Sequence, residues 1–214
     1  MDNQAHTLKP ARLLRRSFFN RDPRKVAREL LGKLIVRKHG RKAIAGRIVE
    51  VEAYLGENDL AAHAAAGRTA RNEVLFGPPG HAYVYFIYGM YFCLNISCLP
   101  DGDPGCVLIR ALEPVTGLEQ MAEARGLEDF DFGHLANLRR LTSGPGKLCD
   151  ALEITRKRDN RKDLLAADSD LQVLDDGYQT GRIAVTPRIG ISKSAEMALR
   201  YFVAGSPFVS GGSK

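Results

Sequence analysis

The chain has 214 residues, 44% of them hydrophobic and 26% charged, which suits one globular domain with a sizeable core and excludes disordered or fibrous classes. The net charge of +6 is unevenly placed: residues 1–50 carry 14 Lys and Arg against four acids, so the remainder is net acidic. No apolar run approaches the roughly 20 residues of a membrane span, and the N-terminus lacks the continuous apolar core of a signal peptide. The four cysteines (Cys93, Cys98, Cys106 and Cys149) form no C-x-x-C pair, which argues against a zinc ribbon. Reduced thiols and a cytoplasmic location are therefore expected.

In chain order, residues 1–20 read as a basic, poorly ordered segment. Asp22-Pro23 then reads as an N-cap with proline in the first helical position, starting a helix that runs to Leu31 and stops at Gly32. Leu34–Arg37 reads as a short strand, Lys38-His39-Gly40 as a turn, and Ala43–Leu55 as a long strand. Residues 56–80 are rich in Gly and Pro and read as loop. Residues 81–97, HAYVYFIYGMYFCLNIS, are too β-branched, aromatic and alternating for a surface helix, and read as two strands joined near Tyr88-Gly89-Met90. A glycine there permits the positive φ of a tight turn. Further on, Cys106–Leu112 reads as a strand closed by Pro114, and Thr116-Gly-Leu-Glu119 as a capping box for a helix to about Arg125. Helices follow over 135–141 and 145–153. Residues 156–182 read as loop or edge, and 183–187 and 200–204 as strands. Strands, then helices, then strands make a compact α+β domain and not a doubly wound sheet.

Several positions could carry chemistry. Period two on Arg47-Ile-Val-Glu-Val-Glu-Ala-Tyr54 places Val49, Val51 and Ala53 on one strand face and Glu50, Glu52 and Tyr54 on the other. On an open face these are ordinary polar residues; in a cleft, a carboxylate beside a ring suits a general base next to a stacking platform. His63 has no second histidine at ligand spacing, so metal catalysis is not expected. Arg110 lies inside a hydrophobic strand and needs an anionic partner, either structural or in a cleft. Asn95 must likewise find partners for its amide. A turn tip bearing tyrosine and methionine suits a wedge between stacked bases, and the basic flank suits a polyanion. Ser143-Gly-Pro-Gly-Lys147 precedes a helix, so Gly144 and Lys147 could meet a phosphate, although the P-loop pattern is missing. Neither a nucleophile elbow nor a dinucleotide fingerprint is found.

Together the strings GRIVEVEAYLG (46–56), AAHAAAGRTARN (61–72), AYVYFIYGMYFCLNIS (82–97), CVLIRALEP (106–114), SGPGKLC (143–149) and RYFVAGSP (200–207) resemble the alkyladenine (3-methyladenine) DNA glycosylase family, in order, over roughly residues 15–210. The resemblance implies a single α+β domain over 1–214, with a curved antiparallel β-sheet, flanking helices and a protruding β-hairpin. It implies a monofunctional, monomeric DNA repair enzyme that excises damaged purines from double-stranded DNA and uses no metal or organic cofactor. By resemblance Glu52 activates water, and Arg110 lies beside the catalytic water and the target nucleotide. Tyr54, His63 and Tyr85 surround the flipped base, Asn95 lies where the amino group of a normal guanine would clash, and Tyr88 is the wedge. The Ala64-Ala65-Ala66 run after His63 departs from the more polar loop of the family. Two readings compete with an enzyme: a lesion-binding module without turnover, which a Gln or Ala at position 52 would have favoured, and an unrelated α+β protein with a basic flank, which would fail to bind duplex DNA at moderate salt.

Overall fold

A computed structural model describes residues 10–40 and 42–211. Among them no helix is long and apolar enough to cross a membrane. The N-terminal segment expected to be loose is partly built into the fold. Strand β1 (Arg12–Leu13) pairs with a later strand, helix α1 (Arg16–Phe19) follows, and Leu14 and Phe19 are buried. Residues 1–9 lie outside the described residues.

Helix α2 (Pro23–Leu30) starts as its sequence dictates. The Asp22 carboxylate accepts the Arg24 amide at 2.8 Å and Pro23 takes the first helical position. Chain reversal after Leu31 uses Gly32 at φ +87°, where an added Cβ would lie 2.7 Å from the Thr180 methyl. Strand β2 (Leu34–His39) and strand β3 (Lys42–Tyr54) pair antiparallel. After a loop holding a 3₁₀ turn (Glu73–Phe76) come β4 (Ala82–Ile87), β5 (Tyr91–Ser97) and β6 (Cys106–Thr116). Four helices follow: α3 (Leu118–Ala124), α4 (Leu135–Thr142), α5 (Pro145–Ala151) and α6 (Arg156–Asp159). The last strands are β7 (Leu171–Asp175), β8 (Ile183–Thr186) and β9 (Arg200–Val203).

The nine strands form one curved antiparallel sheet in the order β1-β7-β2-β3-β6-β5-β4, with β9 on the far half of the β3 edge that β2 leaves free and β8 outside it. Helices α2, α3, α4 and α5 pack against it over one main apolar core. The result is a single compact α+β domain.

Three expectations need correction. Pro114 does not close β6, which continues to Thr116; Pro114 faces Gly46 at a register shift, where a missing amide costs no ladder bond. Thr116 therefore belongs to the strand and forms no capping box; Gly117, at φ +75°, begins α3 without a side-chain cap. Within 156–182, α6 and β7 are ordered, and β7 is interior, between β1 and β2. Its Leu171 and Val173 are buried, and its buried Gln172 donates to the Ala166 and Ala167 carbonyls. A strand of five residues is too short for its alternation to stand out as a periodic signal.

The same region carries a buried ion cluster. Arg37, wholly enclosed, donates to Asp159 at 2.8 Å and to the Leu152 carbonyl, and Lys162 reaches Asp159 at 2.7 Å. Removing one partner strands a buried charge. Asp159→Ala is expected to lower unfolding free energy by about 3–5 kcal/mol, read as a drop in the urea midpoint; an unchanged midpoint would contradict the assignment.

Candidate active site

The site arises where β3 and β6 both depart from regular pairing. Ile48 faces Leu112 and Glu50 faces Ala111, so Val49 is one residue too many on β3; Val51 then faces Ile109, so Arg110 is the extra residue on β6. Two opposed bulges re-aim side chains without breaking the ladder for long. Strict alternation is accordingly wrong at one place. Ile48 joins Val51 and Ala53 in the main core, while Val49 packs in a separate cluster with Ala111 and Phe208.

The displaced Arg110 bridges both glutamates: Nε donates to Glu50 Oε1 at 2.9 Å, and Nη1 lies 3.1 Å from Glu52 Oε1. Both carboxylates are fully enclosed, so neither forms the exposed polar face that was one reading of this strand. Burial works against the charge on Arg110, but Glu52 and Glu50 outweigh it and hold its pKa above the ordinary value.

The two glutamates have different duties. Glu50 accepts four donors: Arg110 Nε, Arg200 Nε at 2.7 Å and Ser210 Oγ on one oxygen, and the Ser210 amide at 2.6 Å on the other. Glu52 Oε1 takes Arg110 and the Ile189 amide at 2.8 Å, while among the described residues Oε2 accepts only the Tyr54 hydroxyl at 3.0 Å. Burial first, then the Glu52 charge, raises the Tyr54 pKa well above its ordinary value, so this hydroxyl stays protonated and donates.

Tyr54, Arg110 and Ile189, the three groups holding Glu52, all line a cavity of about 370 Å³. That size lies within the roughly 300–1,000 Å³ of small-ligand pockets. His63, Tyr85 and Asn95 line it too. The His63 ring meets Tyr85 edge-on at 4.5 Å between centroids, and its Nδ1 lies 2.8 Å from the Tyr83 hydroxyl. Burial, then Arg71, lowers the His63 pKa, favouring a neutral ring at neutral pH. Asn95 Nδ2 donates to the Tyr83 carbonyl at 3.3 Å, and Cys106 Sγ, its thiol pushed up by burial to about 12, donates to Asn95 Oδ1 at 3.8 Å.

Tyr88 sits on the rim, at the tip of the β4–β5 hairpin, and is 78% exposed. Tyr88 and Gly89 both have positive φ, +54° and +71°. A tyrosine in that region costs of order 1–2 kcal/mol, and here the strain holds a large ring outside the core.

A family model described as methylpurine-DNA glycosylase matches residues 17–207, nearly the whole domain. The chain belongs to the methylpurine-DNA glycosylase family. It is thus a DNA glycosylase of DNA repair, a hydrolase acting on DNA. Among its relatives, a protein of Koribacter versatilis is 62% identical over 92% of this chain and 93% of its own length. Others from Methanocella arvoryzae (48%; 92% and 96%) and Clostridium acetobutylicum (43%; 91% and 96%) are similar across their lengths. All three are named "Putative 3-methyladenine DNA glycosylase".

Not every sequence-predicted residue of the glycosylase shares the cavity. Lys147 lines a separate pocket of about 260 Å³ with Arg139, Arg140, Ser143 and Ser210, and Gly144 lines neither, although Pro145 next to it reaches the main cavity. Burial, then Arg125, Arg139 and Arg140, lowers the Lys147 pKa. Sequence reasoning missed Asp59, Arg188 and Ile189. Arg188 and Ile189 lie in Pro-Arg-Ile-Gly-Ile, far along the chain from Glu52, and Asp59 lies in the loop before His63; nothing local ties these segments together.

Proposed function

We propose that this glycosylase swings damaged purines (3-methyladenine, 7-methylguanine, hypoxanthine and ethenoadenine as a class) out of duplex DNA and hydrolyses the N-glycosidic bond with water activated by Glu52. The observation that supports this most strongly is the pair of glutamates. Glu50 is consumed by structural donors, whereas Glu52 is held only by groups that line the aromatic cavity. The Oε2 oxygen, with the Tyr54 hydroxyl as its single donor, is where a water can be accepted.

The steps follow from the residues. A base inside a duplex is out of reach, so the nucleotide is extruded at a few kcal/mol of unstacking, least for damaged or mispaired bases. Tyr88 enters the gap left behind. Electron-poor alkylated purines stack on Tyr54 and Tyr85, gaining roughly 0.5–2 kcal/mol when cationic; neutral hypoxanthine depends more on hydrogen bonds and easier extrusion. As the glycosidic bond breaks, the sugar acquires oxocarbenium character, which the Glu52 carboxylate stabilises while taking a proton from the attacking water. Arg110, 3.1 Å from Glu52 Oε1, holds the carboxylate in place. No lysine is among the described residues lining the cavity, and Lys147 of the matched motifs lines a separate pocket, so the products are a free base and an abasic site, and the strand is not cut.

Two measurements test this reading. Single-turnover incubation with duplexes containing hypoxanthine or 7-methylguanine, followed by alkaline cleavage, should reveal abasic sites; tight binding without release of either base would make the protein a lesion binder instead. Asn95→Ala removes the amide whose Nδ2 is fixed on the Tyr83 carbonyl. It should raise excision of mispaired normal guanine by about 10-fold or more, on the scale of about 1–3 kcal/mol for a lost discriminating contact. Unaltered guanine excision would remove Asn95 as a gatekeeper.

A further inference from the structure

Arg188 and Asp59 form an enclosed ion pair beside the glutamate cluster. Both side chains are wholly enclosed, 129 residues apart in sequence, and joined by two parallel bonds, one of 2.8 Å from Nη2 to Oδ1. Asp59 also accepts the Leu55 and Ala61 amides. It thereby pins the loop that brings Ala61 and His63 to one wall of the cavity. Arg188 Nη1 donates as well to the Ala53 carbonyl at 3.0 Å, on the strand between Glu52 and Tyr54, and the guanidinium lies 4.5 Å from the Tyr54 ring centroid. The next residue, Ile189, presents its amide to Glu52.

Packing alone does not account for this arginine. Within 187–191 it is the only buried residue; Pro187, Ile189 and Gly190 are exposed and Ile191 is half-buried. Apolar burial therefore contributes little to seating this loop, which is held by Arg188 and by the Ile189 amide on Glu52. The guanidinium is also imperfectly satisfied, since its Nε has no hydrogen-bond partner among the described residues. A buried group left in that state calls for a reason beyond stability.

We propose that Arg188 and Asp59 are positioning residues for base excision: the pair locks three walls of the cavity together so that the Ile189 amide and the Tyr54 hydroxyl stay aimed at the Glu52 carboxylate. The inference rests on Glu52 being the base. Neither residue touches the reacting atoms; both act through the placement of groups that do. Displacements of about 1 Å in such groups can cost about 100-fold in rate.

The test separates the chemical step from DNA binding. Single-turnover excision at saturating enzyme gives the maximal rate, and titration of a duplex carrying a tetrahydrofuran abasic analogue gives the affinity. Asp59→Asn keeps the shape and loses the charge; Arg188→Lys keeps the charge and loses the fork. If Asp59→Asn does not fold, Arg188→Lys, which retains a cation on an aliphatic stem, carries the test. Each folded variant is expected to lose about 10–100-fold in maximal rate while its affinity for the analogue stays within threefold of wild type. A maximal rate within threefold of wild type overturns the proposal, and so does an equal loss of rate and affinity, which is the mark of a merely structural clamp. Glu52→Gln run alongside keeps the two readings apart: wild-type excision by that variant removes the base assignment whatever the clamp variants do.

Discussion

Glu52→Gln is expected to lower single-turnover excision of hypoxanthine or 7-methylguanine by on the order of 10²–10⁴-fold, the range that general-base groups supply, while the protein still folds and binds lesion duplex. Glutamine is nearly isosteric and its carbonyl oxygen can still accept the Ile189 amide, so the bond of 2.8 Å that seats the loop has a replacement. Arg110 keeps Glu50 at 2.9 Å and is not left as an unpaired buried cation. What disappears is the charge: glutamine takes no proton from water and does not offset the positive charge developing on the sugar. The measurement is the rate of abasic-site formation at saturating enzyme, with thermal melting and duplex binding as controls. Excision within tenfold of wild type, in a folded variant, would mean that another group activates the water.

Tyr88→Ser tests the other half of the mechanism with the fold held constant. At 78% exposure the ring contributes little to the core, so the stability change should stay within about 0.5 kcal/mol. Against DNA the loss is larger. A ring filling the gap of an extruded nucleotide replaces base stacking, worth about 1–3 kcal/mol per base by substitution, so the population of the flipped complex should fall about 10–100-fold. The readout is fluorescence of 2-aminopurine placed beside the lesion, which brightens on unstacking, together with single-turnover excision. The defect should be smallest for a lesion already mispaired, because extrusion costs less there. Equal flipping and excision by the variant would take the wedge role away from Tyr88.

Much of the molecule was legible in the chain because its signals are local. The start of α2 needs only Asp22, Pro23 and the Gly32 stop. The hairpin needs two alternating aromatic runs around Tyr88-Gly89. Tyr54 two residues after Glu52 put a ring beside a carboxylate, and the hydrogen bond between them is a consequence of strand geometry. These elements, the α+β class and a set of polar side chains embedded in apolar strands can be read from the chain alone, because helix caps, turns and period-two patterns act over a few residues.

The fold as a whole sets which carboxylate is held by groups of the cavity wall. Strict alternation makes Glu50 and Glu52 equivalent, and the distinction comes from Arg200 and Ser210, 150 and 160 residues away, which occupy Glu50. The bulges at Val49 and Arg110 arise from matching β3 to β6 across some 60 residues, and no local preference announces them. The interior place of β7 and the clamp of Arg188 on Asp59 are likewise pairings of segments far apart in the chain. Contacts of that kind are chosen by the fold, since a buried charge accepts whichever partner the packing of the whole domain brings within reach.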